Sequence, residues 1–360
     1  MKYKLIYIIL IANIFVSCNA TKSSIDINKT LNEKITEIEA LQNYEFFVTH
    51  FPDSIQARFY NRINQKLTYH PYRYLRDTAT IEELLKLTEW SNPFVRLYAF
   101  SSLEKREYNG LFQIILEHLN DTTEFYVRSD DHGWNSTTID MMIYYAQKKL
   151  TNYEKDTLKH LIITEYSNIG WLDDIFLFFN PNEDYYNIVR NKAKKEQNVY
   201  SLIALSTYQK EKDISIIMQG FDNIEYERGV FIFFKAIENF PSDEFLPKLI
   251  KFAQNIKENS SVMDTYTYYY YALAKYQNKE SLRILSKMTN RIYYSSDGYW
   301  YSNLIHIYKA LEKYKCAKYK NLSAEILNTL NNIENKDFIY KLNMAYLNSD
   351  DSLENNTWNY

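Results

Sequence analysis

The amino-acid sequence predicts an all-α protein, a right-handed α-solenoid of about eight stacked helix pairs. Three observations point there. First, the 360 residues include only six glycines and six prolines, far below the usual ~7% and ~5%. Sandwiches, barrels and doubly wound sheets need more turn residues than that. Second, apolar residues at 46% and charged residues at 24% are globular values, which excludes disordered and collagen-like chains. Third, one pattern recurs along the chain. A small residue has large apolar residues four positions before and after it, His306 before Ala310 being the exception, and a second apolar helix face follows ten or twelve residues later.

The small positions are Ala99, Ala146, Ala204, Ala236, Ala272 and Ala310, with Ile175 in the same role. Their successive spacings are 47, 29, 29, 32, 36 and 38, and Ala345 would add 35. Residues four apart share one helix face, and alanine at its centre lets a neighbouring helix come close. The second helices are marked by Leu111-Ile114-Ile115, Leu158-Leu161-Ile162, Tyr185-Ile188-Val189 and Ile214-Ile217-Met218. Leu246-Leu249-Ile250, Leu282-Leu285 and Leu322-Ile326 complete the series. One such pair is too thin to hold a core alone, so the pairs must stack.

The chain opens with MKYKLIYIILIANIFVSCNA. Lys2 and Lys4 form a basic head, Leu5 to Val16 an apolar run, and Ser17 a small residue before Cys18. Twelve residues are too few to span ~30 Å of hydrocarbon, so residues 1–17 read as a secretory signal. Phe15-Val16-Ser17-Cys18 resembles the lipobox of bacterial lipoproteins. That resemblance implies cleavage before Cys18, lipidation of Cys18 and anchoring in the membrane of the bacterial cell envelope. Asn19, rather than the Asp of inner-membrane retention, favours the outer membrane. With Cys18 acylated, Cys316 is the one remaining cysteine, and no intramolecular disulfide is expected. Losing Lys2 and Lys4 takes the net charge from −3 to about −5, a mildly acidic chain that gives no reason to expect a nucleic-acid partner.

Residues 18–29 read as a tether and residues 30–79 as N-terminal capping helices, with Thr30-Leu-Asn-Glu33 as a capping box. A second box, Thr80-Ile-Glu-Glu83, opens a helix through Leu84, Leu85 and Leu87. Asn92-Pro93 then caps and starts another, running Val95-Arg96-Leu97-Tyr98-Ala99 to Leu103. This unit resembles a HEAT repeat, whose two helices are joined by a turn before Pro-x-Val-Arg-x-x-Ala. The other pairs share its period and small-residue placement alone, so residues 80–348 are read as HEAT-like. Residues 349–360, polar and Asn-rich, read as a loose tail.

Two turns are longer than the rest. Ser129-Asp130-Asp131-His132-Gly133-Trp134-Asn135-Ser136 precedes Ala146, and Ser296-Asp297-Gly298-Tyr299-Trp300-Tyr301-Ser302 precedes Ala310. Both combine Asp, Gly and Trp at equivalent repeat positions, so both are expected to project as loops from one edge. Asp130, Asp131, His132, Trp134, Asp297, Tyr299 and Trp300 are therefore the candidate partner-binding residues, suited to a protein anchor or a sugar face. The bland reading is that Asp-Gly makes the turn and Trp fills a gap between helices.

Among the clustered tyrosines, Tyr268 and Tyr276 fall on the core stripe. Tyr266, Tyr269 and Tyr270 lie off it, where they either pack or line a concave face. No catalytic residue is proposed, because phosphate-binding glycine loops, a nucleophile elbow and His-Glu-x-x-His are all missing. Neither a metal nor a cofactor is expected, since His118 and His160 have no His or Cys four residues on. Cys316 is expected to be buried at a helix end, and Asp173-Asp174 to lie in a turn. The reading is a non-catalytic, lipid-anchored scaffold that holds a protein or peptide. The alternatives are a glycan-binding lipoprotein or an accessory subunit of an envelope enzyme.

Overall fold

The computed structural model describes residues 29–40, 46–47, 71–129, 132–223, 227–255, 266–293 and 300–331. The chain divides into two compact units, Met1–Leu172 and Asp173–Tyr360. Mostly helical architecture is shown in both.

In the first unit, α1 spans Lys29–Glu39 and α2 residues 71–77; α3 (Ile81–Thr88) and α4 (Pro93–Lys105) pack on each other. Thr30 is the second residue of α1 and not its cap, so the first expected capping box does not open that helix. The second box does form. The Thr80 side chain accepts from the Glu83 backbone and the Glu83 carboxylate accepts from the Thr80 N–H at 2.8 Å. Asn92 Oδ1 accepts from the N–H groups of Phe94 and Val95, and Pro93 stands first in α4. Helix α4 is buried from Pro93 to Glu104, so it forms the centre of the unit.

Helix α5 (Leu111–Glu117) leads into β2 (Glu124–Ser129) and β3 (His132–Thr137), followed by α6 (Thr138–Ala146) and α7 (Asn152–Thr164). Strand β1 is Phe46–Phe47; the sheet order is β1-β2-β3, parallel for the first pairing and antiparallel for the second. Helix α6 packs on α4, placing two alanine-bearing helices, Ala99 and Ala146, side by side with both alanines fully buried.

Helix α8 (Trp171–Leu177) crosses the boundary between the units. The second unit continues with α9 (Glu183–Glu196), α10 (Val199–Ser206), α11 (Ile214–Asp222), α12 (Glu227–Asn239) and α13 (Leu246–Asn255). Then come α14 (Thr267–Lys275), α15 (Lys279–Tyr293), α16 (Trp300–Lys313) and α17 (Lys320–Asn331). Helices α10, α12, α14 and α16 form a row in which each packs on the next. They carry Ala204, Ala236, Ala272 and Ala310, all with no exposed surface. Gly220 on α11 serves the same end. A Cβ there would run into the buried Leu202 side chain of α10.

The abundance of tyrosine has a structural cause. Tyr208 and Tyr276, each four residues after a row alanine, donate their hydroxyls back to Asn182 O at 2.8 Å and Ser242 O at 2.6 Å. The next residue in each case, Gln209 or Gln277, adopts the left-handed region, with φ of 51° and 50°. That conformation costs a non-glycine residue about 1 kcal/mol. It aims the side-chain amide at the end of the following row helix, where Gln209 Nε2 donates to Asn239 O and Gln277 Nε2 to Tyr314 O. Tyrosine thus fills the space leucine would take and adds a directional bond to the neighbouring pair.

Candidate functional site

The hairpin of the first unit carries two exposed aromatic residues, Tyr126 and Trp134; Tyr153, near the start of α7, is exposed as well. Cross-strand pairing sets Tyr126 opposite Asn135 and Val127 opposite Trp134. Successive side chains alternate faces, so Val127 and Trp134 share one face and Tyr126 and Asn135 the other. Val127 is fully buried, whereas Trp134 on the outer strand is 39% exposed and Tyr126 44%. Phe125 anchors the hairpin by an edge-on contact with Phe94 at 5.5 Å. The outer end of the Tyr126 ring lies across β3 at Gly133, where a Cβ would displace it.

This corrects the expectation of a loop over residues 129–136. The period-two pattern Phe125-Tyr126-Val127 was the available signal, and the helical repeat on either side masks it. Trp134 sits in β3 and His132 opens that strand; Asp130, Asp131, Asp297 and Tyr299 lie outside the described residues, as does Cys18. Trp300 is the first residue of α16 rather than part of a loop.

Behind the hairpin lies a polar cluster that the spacing of histidines did not reveal. His118 Nε2 lies 3.1 Å from Glu89, and its Nδ1 3.8 Å from Asp121. Arg96, the arginine of the HEAT-like motif, pairs with Asp121 at 2.8 Å and donates to the carbonyls of Trp90 and Ser91. The hydrogen bond from His118 holds the Glu89 carboxyl below its ordinary range, against the opposing effect of burial. The cluster ties the α3–α4 turn to the segment leading into β2. Among the described residues, no group of three His, Cys, Asp or Glu side chains is placed to hold a metal ion.

In the second unit the tyrosine cluster resolves against a glycan platform. Tyr266, Tyr269 and Tyr270 are buried, and the hydroxyls of the last two donate to Leu249 O and Asn303 Oδ1 at 2.8 and 2.9 Å. Tyr268 and Tyr276, expected in the core, are half-buried instead. Helix α14 has neighbours on more than one side, which buries a wider arc than a single stripe.

The half-exposed side of this row is a cation–aromatic surface. Glu238, 4% exposed on α12, accepts from Lys235 at 3.3 Å, Lys313 at 3.0 Å and the Tyr314 hydroxyl at 2.5 Å. The Lys313 ammonium lies 5.1 Å from the Tyr271 ring centre and Lys275 4.9 Å from that of Tyr314. Glu238 and Lys313 belong to helices that flank α14. The long Lys313 and Tyr314 side chains thus reach across α14 to Glu238, which sits at the centre of the cluster.

Cys316, expected to be buried, is half-buried in the turn between α16 and α17. Asp173 and Asp174 lie in the first turn of α8 and not in a loop. Burial, then the neighbouring Asp174 carboxylate, raise the Asp173 carboxyl to about 6; Asn198 and Lys192 oppose the shift and Glu196 adds to it. The folded chain therefore holds that proton more tightly than the unfolded chain, and stability falls as pH rises from about 3.8 to about 6. Asp173→Asn is expected to add about 1 kcal/mol at pH 7 after allowance for solvent screening, and nothing at pH 3.5. Urea midpoints at the two pH values check this, and an equal change at both would refute it.

Comparison with protein-family models, with curated proteins and with solved structures finds no match to this chain. The class that fold and surface define is thus a mostly helical protein with a row of alanine-centred helices and a small aromatic hairpin.

Proposed function

We propose that this chain is a lipid-anchored scaffold of the bacterial cell envelope, without catalysis, that holds a protein or peptide partner. In this reading Cys18 carries the lipid in the outer membrane, and the helix pairs form a right-handed HEAT-like solenoid. Such a body offers a long curved surface built from many side chains. One observation carries the reading: Tyr126 and Trp134 stand exposed on a hairpin fixed to the buried helix α4. Large aromatic side chains on a rigid support are the usual anchors of protein interfaces. The cluster of Tyr271, Lys313 and Tyr314 supplies a second surface.

The test is affinity capture from detergent-solubilised envelope with the tagged full chain as bait. One envelope protein is expected to be retained by wild type and lost with Trp134→Ala. Retention by both would keep the scaffold and move the contact to the Tyr271, Lys313 and Tyr314 cluster. Capture of nothing, together with tryptophan fluorescence that shifts on adding oligosaccharide, would replace this reading by glycan binding.

A further inference from the structure

In the second unit, a groove of about 410 Å3 runs between α15 and α17. Leu282 and Leu322 supply its apolar part, while Lys279, Arg283 and Lys318 stand along it. Glu325 is the one carboxylate lining it among the described residues. The cations are not scattered. Lys279 and Arg283 lie one turn apart, and Lys287 follows one turn further, all three exposed. Like charges at this spacing destabilise a helix, so the stripe works against the stability of α15.

The surroundings neutralise Arg283 and leave the charges of Lys279 and Lys318 in place. Arg283 is held by Glu280 at 2.6 and 2.9 Å. Lys318 is fixed at the rim by donating to Gln277 O at 2.9 Å, a bond that leaves its charge unneutralised. Lys279 has no ion-pair partner among the described residues.

We propose that this groove is the docking site for an acidic, partly apolar peptide segment of the partner. It rests on the reading that the partner is a protein or peptide. A helical segment with carboxylates one turn apart repeats every ~6 Å, the spacing of the α15 cations, and its apolar residues meet Leu282 and Leu322. The groove is shallow and open, which leaves a peptide segment room to lie along it.

The test uses the full chain in detergent and a fluorescein-labelled helical peptide of glutamate, leucine and alanine, with glutamates one turn apart. Fluorescence anisotropy is expected to show binding that weakens with salt. Charge reversal in Lys279→Glu/Lys318→Glu, or glutamine in place of the peptide's glutamates, is expected to weaken it at least about tenfold. Both substituted residues are exposed, so the variant should keep its circular dichroism, and Trp134→Ala should bind as wild type. Equal binding by wild type and the charge-reversed variant, or by neither, overturns the assignment. So does binding to phosphatidylglycerol vesicles that the same variant loses while the peptide stays unbound. Envelope capture through Trp134 is read separately and bears on the scaffold reading alone.

Discussion

Asp213→Ala is expected to destabilise the second unit by about 3 kcal/mol, the cost of breaking a buried pair from one side. Asp213 ends a short 3-10 turn at Glu211–Asp213 and is 1% exposed. Its two oxygens accept from the Tyr186 hydroxyl and Arg190 Nε, both at 2.7 Å. Burial and the bond to Asp213 push the Tyr186 hydroxyl up to about 12, so it stays a donor through the working pH range. Lys210 and Lys212 sit 3.5 and 4.9 Å from the Tyr186 ring centre, which leaves that ring packed between cations once the carboxylate is gone. Arg190 reaches partly into water, which keeps the cost at the lower end of the range. Tyr186→Phe alone should cost about 1 kcal/mol, and the double variant less than the sum of the two. Urea unfolding of the three variants measures this. A loss below about 1 kcal/mol for Asp213→Ala would show that the pair is not cohesive.

Glu238→Ala is the second large effect, again about 3 kcal/mol, and it carries a pH signature. Burial pushes the Glu238 carboxyl up, but the ammonium groups of Lys235 and Lys313 and the Tyr314 hydroxyl outweigh it, and the net shift is downward. A depressed folded value means the stabilisation is complete above the unfolded value of 4.5 and fades as pH falls through the folded one. Wild type should therefore lose stability on acidification below about pH 4.5 more steeply than the alanine variant. Glu238→Gln keeps an acceptor for Tyr314 but leaves Lys235 buried beside a neutral amide, so about half the loss is expected. Hydrogen exchange at the end of α16 should rise in both variants, because Glu238 on α12 bonds Lys313 and Tyr314 there. Unchanged exchange would mean that packing on α14 alone holds α16.

Helix pairing was legible wherever the signal was local. The Thr80 box, the Asn92-Pro93 start and the alanine stripe each rest on residues within one or two turns, and periodicity reports such contacts directly. The hairpin was not legible. Its strands are six residues each, and β1, two residues from far upstream, pairs with β2 at Val127 and Arg128. Of the candidate residues, Trp134 is exposed, but it stands on a strand and not in a loop. The tyrosine cluster failed for a different reason. One stripe was counted on α14, while α12, α15 and α16 all pack against it.

By itself the sequence determined the helical class and the alanines at the contacts of the row helices, because helix periodicity is written in residues three and four apart. Tertiary structure alone decided which polar groups meet. Glu238 and Lys313 are 75 positions apart, and Tyr319 reaches Ala274 O across 45. Such bonds leave no periodic trace, since a buried carboxylate or hydroxyl needs one partner, and any helix that the packing brings near can supply it.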